Sequence, residues 1–65
     1  MVITASDAQY LETVEKAAFQ PVGWLYGAVF ADLRSRCLVH VAHDGYRISP
    51  LGKEELEKFR ETKRG

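Results

Sequence analysis

The stretch DLRSRCLVHVAHDGYRISPLGKEELEKF, from Asp32 to Phe59, decides the fold of this 65-residue chain. It predicts a helix end, a strand, a tight turn, a second strand and a closing helix. Asp44-Gly45 is a strong hairpin signal, because a type I′ turn needs positive φ at both of its central residues. A loop made of these two residues pairs His43 with Tyr46. Alternation then predicts one mostly apolar face (Val39, Val41, His43, Tyr46, Ile48) and one mostly polar face (His40, Ala42, Arg47, Ser49).

Two helices are predicted before the hairpin, over about residues 7–18 and about 22–36. Ser6 is the expected cap of the first helix, with Gln9 completing a capping box. Val2 to Thr4 is β-branched and is expected to form either a frayed end or a short edge strand. After the hairpin, predicted over about 38–48 with its turn at 44–45, Ser49 is expected to cap a helix over about 50–61.

Size and composition indicate one small globular domain. The chain is 46% hydrophobic and 28% charged, and its net charge is zero. It contains no apolar run of the roughly 20 residues that span a bilayer, so no membrane contact is expected. The single cysteine, Cys37, excludes an internal disulfide and is typical of a reducing cytoplasmic setting.

The ordered series L-x-x-R-C-L-V (Leu33 to Val39) and D-G-Y-R-I-S-P-x-G-K (Asp44 to Lys53), followed by a helix, resembles the C-terminal half of winged-helix DNA-binding domains. The resemblance covers somewhat less than half of the chain. It implies a small α+β fold in the order helix, helix, β-hairpin wing, helix. In that family the helix before the wing usually ends at a glycine, where this chain has Cys37.

The resemblance implies a small DNA-binding regulator that contacts the duplex backbone. Basic residues concentrate after residue 32, which favours this function. Arg47 is expected to contact phosphate from the wing, since its guanidinium presents a fork of donors. The full set of expected double-stranded DNA contacts is Arg34, Arg36, His43, Arg47 and Lys53.

A second hypothesis comes from the second helix, which is apolar nearly all round. The positions that contact base edges in the winged-helix family are occupied here by residues such as Trp24, Leu25 and Phe30, which offer almost no hydrogen bonds to bases. A domain of this size can hardly cover every face of such a helix. Trp24, Tyr26 and Phe30 therefore predict a contact with a second copy or another protein, as in a phage- or plasmid-type accessory or inhibitor protein.

Catalysis has no support in the sequence. There is no glycine-rich phosphate loop and no Ser/His/Asp pattern. His40 and His43 fall on opposite predicted faces of the hairpin, so no metal site is expected. The chain is accordingly expected to be neither an enzyme nor a cofactor-binding protein.

Overall fold

The computed structural model describes residues 3–64 of the chain, and the side chains of residues 3–62. These residues form three α-helices and one two-stranded antiparallel sheet. In chain order the elements are α1 (Ala5–Lys16), α2 (Trp24–Ser35), β1 (Val39–Ala42), β2 (Gly45–Ile48) and α3 (Pro50–Arg64). The predicted α+β class and the order helix, helix, hairpin, helix are confirmed.

Helix α1 begins two residues before the predicted start. Thr4, not Ser6, is its cap: the Thr4 hydroxyl accepts from the Asp7 amide at 3.1 Å, and the Asp7 carboxylate accepts from the Thr4 amide at 3.1 Å. Because Thr4 caps the helix and Ile3 is buried in the core outside any strand, these two residues form no edge strand. Val2 lies outside the described residues.

Helix α2 ends in a Schellman motif whose left-handed residue is Cys37. The Cys37 amide donates to the Arg34 carbonyl at 2.9 Å, and the Leu38 amide donates to the Leu33 carbonyl at 3.0 Å. Leu33 and Leu38 are both fully buried, which supplies the apolar contact that usually accompanies this motif. Cys37 has a φ of 63°, so a residue with a Cβ occupies a conformation that favours glycine.

The hairpin register differs from the prediction. Ala42 pairs with Gly45 and Val41 with Tyr46, so the two-residue loop is His43-Asp44 rather than Asp44-Gly45. Neither loop residue has positive φ, which excludes a type I′ turn. The shift preserves the alternation of faces along both strands. His43 does not follow the predicted inner face, because it lies in the exposed turn and does not pair with Tyr46. Val41, which pairs with Tyr46, is 55% exposed.

The backbone of Phe19 explains why the local turn preference did not prevail. Phe19 and Tyr46 exchange two backbone hydrogen bonds, at 2.9 and 2.8 Å, so Phe19 pairs with the free edge of β2. Gly45 allows this approach: a Cβ there would lie 2.6 Å from the Phe19 carbonyl oxygen, and its φ of 127° suits glycine. Tertiary pairing thus places Gly45 in the strand and not in the turn.

The core lies between the helices and the inner face of the hairpin. Its buried apolar residues are Ile3, Ala8, Leu11, Val14, Phe30, Leu33, Leu38, Val39, Ile48 and Leu56. Phe30 is fully buried at the centre of an aromatic cluster, with ring centroids 5.0 Å from Phe19, 5.4 Å from Tyr46 and 5.7 Å from Tyr10. This cluster joins α1, α2, β2 and the connection between the two helices.

Helix α3 packs against the start of β1 through its first turn. As predicted, Ser49 is its cap: the hydroxyl accepts from the Gly52 amide at 2.9 Å and donates to the Cys37 carbonyl at 2.6 Å. Gly52 is buried, and a Cβ at this position would collide with the Leu38 carbonyl oxygen and lie 2.9 Å from Ile48 Cγ1. The close approach of α3 to Leu38 therefore depends on the absence of a side chain at Gly52.

This packing predicts opposite effects for the same substitution at two helical glycines. Gly52→Ala should lower the free energy of unfolding by about 2 kcal/mol or more, because the clash is with backbone atoms that cannot rotate away. Gly27→Ala is the matched control: apart from the adjacent backbone of α2, no atom lies within 4 Å of the added Cβ, and alanine favours the helix interior by about 0.5–1 kcal/mol. Chemical denaturation of both variants measures the difference. Equal stability of the two would contradict the close approach at Gly52.

Candidate interaction surface

One side of α2 is apolar and exposed. Trp24 is 85% exposed and Leu25 is 54% exposed, and Val22, just before the helix, is 81% exposed. Ala28 and Ala31 continue the same side towards the C-terminus. We call Trp24, Leu25, Ala28 and Ala31 the outer face of α2. Leu33 is nine residues from Trp24, which at 3.6 residues per turn puts it about 180° away, in the core.

The predicted interface residues Trp24, Tyr26 and Phe30 do not share one face. Phe30 is fully buried, so its assignment to an exposed interface was wrong; helical rotation points it at the hairpin. Tyr26 is intermediate between the two others. It is 42% exposed, and its ring makes edge contacts with Tyr10 at 6.2 Å and Phe19 at 6.0 Å. Trp24 alone of the three lies on the outer face.

A shallow groove of about 290 Å³ lies between α1 and the start of α2. Its lining is uncharged and mostly aromatic, and consists of Tyr10, Phe19 and Tyr26 together with Gln9 and Thr13. The segment from Ala17 to Ala31 also contains no charged residue, although 28% of the chain is charged. The surface formed by the α1–α2 connection and the first two turns of α2 therefore offers shape and apolar area rather than charge.

Arg36, one of the expected DNA contacts, is instead part of an internal ion-pair network. Its guanidinium donates to both carboxylate oxygens of Asp7, at 3.0 and 3.1 Å, and to Asp32 at 2.7 Å. The hydrogen bonds from Arg36 hold the pKa of Asp7 below its ordinary value, and those to Asp7 raise the pKa of Arg36. Its Nε is buried and has no hydrogen-bond partner within the described residues. This side chain joins the start of α1 to the end of α2.

Arg47 is on the outer face of the hairpin, as predicted, but it is paired with Asp44. Two hydrogen bonds join the side chains, at 2.6 and 3.2 Å. The bond from Arg47 lowers the pKa of Asp44, and the bond to Asp44 raises the pKa of Arg47. Both groups remain in contact with solvent, so water competes with this ion pair.

Arg34, His43 and Lys53 are exposed. Arg34 and Lys53 have no ion-pair partner in the part of the chain that the structure describes. Arg34 lies at the end of α2, His43 lies in the hairpin turn, and Lys53 lies in the first turn of α3. Of the four arginine and lysine residues expected to contact DNA, Arg34 and Lys53 therefore have no ion-pair partner among the described residues, whereas Arg36 and Arg47 are paired with neighbouring carboxylates.

Some surface and network residues were missed from the sequence. Val22 and Leu25 belong to the exposed apolar surface, although helical spacing aligns both with Val29 and the buried Leu33. The Asp7–Arg36 contact spans 29 residues, and no local pattern encodes it. The i,i+4 spacing of Asp32 and Arg36 could have indicated the other half of this network.

Comparison with known proteins adds no functional information. No protein-family model, curated protein or solved structure matches this chain. Within residues 3–64 no helix has both the length and the apolar character to cross a membrane. No group of three or more His, Cys, Asp or Glu side chains in these residues is placed to hold a metal ion. The winged-helix relationship stays a prediction.

The Asp7–Arg36 pair predicts a pH dependence of stability. Asp7→Asn should lower the free energy of unfolding at pH 7 by about 1 kcal/mol, at the low end for a charge-assisted pair because both side chains still touch solvent. A carboxyl whose pKa is lowered on folding stabilises the fold above its unfolded pKa of about 4 and loses this effect as pH falls through the folded pKa. The difference between wild type and variant should therefore be constant from pH 7 to 5 and shrink below pH 4.

Denaturation curves at each pH measure this dependence, and Asp44→Asn is the control. Its partner Arg47 is exposed, so the change should be much smaller. A stability difference for Asp7→Asn that does not change down to pH 2 would show that the carboxylate charge is not responsible.

Proposed function

We propose that this chain is a small protein-interaction module that binds through the outer face of α2. The observation that carries the proposal is Trp24, which is 85% exposed at the start of α2. Tryptophan is among the residues that most often anchor protein interfaces, because it buries a large rigid area and retains one hydrogen-bond donor. The proposal includes no catalytic activity, metal or cofactor.

The surroundings of Trp24 support a protein partner. Val22 and Leu25 extend the exposed apolar area, and the segment Ala17–Ala31 has no Lys or Arg. Nucleic acid and anionic lipid surfaces are both recognised chiefly through basic residues. An uncharged apolar surface favours another protein. The same proposal places the chain in a reducing cytoplasm, where the exposed free thiol of Cys37 would stay reduced.

Site-directed photo-crosslinking tests this function. A benzophenone amino acid at Leu25, which replaces one exposed apolar side chain with another, should yield a covalent adduct with a protein in cells that naturally produce the chain. The same amino acid at exposed Ala5, in the first turn of α1, is the control and should yield none. Absence of any protein adduct from position 25, with the folded variant present at normal levels, would refute the proposed function.

Contact with the DNA backbone is the second candidate. The observation that favours it is the exposure of Arg34 and Lys53 without a carboxylate partner among residues 3–64. Backbone binding needs only such free cations, since each one that neutralises a phosphate releases counterions. Arg36 and Arg47 would have to break existing ion pairs first, so we propose Arg34 and Lys53 as the principal contacts, with His43 at the hairpin turn.

Salt-dependent binding to random-sequence duplex tests the second candidate. Replacing Arg34 and Lys53 together with alanine should flatten the slope of log affinity against log salt by about 1.8, at about 0.9 for each phosphate contact. Arg36→Ala should change the slope little, because Asp7 and Asp32 already neutralise that guanidinium. No measurable binding of the wild type at low salt would remove DNA from consideration.

A further inference from the structure

The outer face of α2 has a composition that suits a particular partner. Along the helix it presents Trp24 and Leu25, then Ala28 and Ala31, and the polar residues Asp32 and Ser35 follow beyond it in the last turn. The face is thus large and apolar at one end and flat in the middle, and polar residues bound it at the other end. We propose, on the basis of the interaction function above, that its occupant is the same face of a second copy, packed antiparallel about a two-fold axis near Ala28.

Charge supports a second copy over an unrelated surface. All 18 Asp, Glu, Lys and Arg residues lie outside Ala17–Ala31, so this segment can bury itself without placing an unpaired charge in a low-dielectric contact. A partner with an ordinary mixed-charge surface would lose solvation of its charges and find no counter-charges here. A second copy brings an equally uncharged surface, and an isologous contact needs only that the surface complement itself.

Helix geometry selects the antiparallel arrangement. With Ala28 at the axis, residue 24 of one helix lies at the same level along the helix as residue 32 of the other, and residue 25 lies at the level of residue 31. At about 100° per residue, Trp24 and Ala31 lie on one flank of Ala28 and Leu25 and Asp32 lie on the other, and the two-fold axis brings like flanks of the two copies together. Trp24 then packs over Ala31 of the second copy, where the small side chain leaves room, and Leu25 lies beside Asp32. The Asp32 side chain is 63% exposed and is already paired with Arg36 of its own copy, so it stays at the edge of the contact. A parallel arrangement would oppose Asp32 to itself and align the two helix dipoles unfavourably.

The exposed area is sufficient for a weak, specific dimer. Burying an aromatic side chain removes about 150–250 Å² from solvent, so the exposed part of Trp24, with those of Val22, Leu25, Ala28 and Ala31, amounts to on the order of 500 Å² per copy. Roughly 1,000 Å² for the pair is the lower bound for specific interfaces. A dissociation constant on the order of 10–100 μM is the expected strength for so small an area.

Sedimentation equilibrium of the whole chain, from micromolar to millimolar concentration, tests the proposal. Wild type should be dimeric at the upper end of this range. Ala28→Glu and Ala28→Lys should each raise the dissociation constant at least tenfold, because each places two like charges at the axis. An equimolar mixture of the two variants should restore association, now as a heterodimer. Ala5→Glu, the same substitution at an exposed position of α1, should leave the dissociation constant unchanged.

The results separate this proposal from the interaction function on which it rests. A wild type that stays monomeric at millimolar concentration overturns the second copy, and an adduct of Leu25 with a different protein would then still support the interaction function. A dimer whose affinity is unchanged in both Ala28 variants overturns this face as the interface. Heterodimer formation on mixing also shows that both variants are folded, so loss of association by each alone cannot come from unfolding.

Discussion

The burial of Phe30 is the constraint on which the rest of the structure depends. Its ring meets Tyr10 of α1, Phe19 of the connection and Tyr46 of β2, so it determines the rotation of α2 about its own axis. Once that rotation is set, Leu33 is buried on the same side, and Trp24 must point into solvent. The exposure of Trp24 is therefore a geometric consequence of the burial of Phe30. A rotation of α2 that buried Trp24 would also move Phe30 out of the core.

Much of the fold could be predicted from the sequence because its signals are local. The Ser49 cap, the end of α2 before Cys37 and the alternation of hairpin faces all depend on residues within a few positions of one another. The turn register was not predictable, because it depends on Phe19 pairing with Tyr46 across 27 positions. The rotation of α2 was not predictable either: a helix that is apolar all round gives no indication of which side faces the core.

The same distinction applies to the charged residues. An arginine in the sequence counts as a possible phosphate contact, but its availability depends on which carboxylates the fold brings near it. The fold places Asp7 and Asp32 beside Arg36, and Asp44 beside Arg47. It places three glutamates beside Arg60, and their hydrogen bonds raise the pKa of that side chain: Glu15, Glu57 and Glu12. The chain thus neutralises most of these cations within its own fold. Among the expected DNA contacts, that leaves Arg34 and Lys53 without a carboxylate partner in the described residues.

Stability and association are linked in a chain of this size. A domain of about 60 residues buries only about 60% of the surface that its unfolded chain exposes, and its stability is correspondingly marginal. Cys37 in a left-handed conformation reduces that stability further. A partner that binds only the folded state raises the apparent stability by mass action. Covering the outer face of α2 would therefore stabilise the same helix that holds Phe30 in the core, so the surface left exposed by the fold is also the one whose burial would reinforce it.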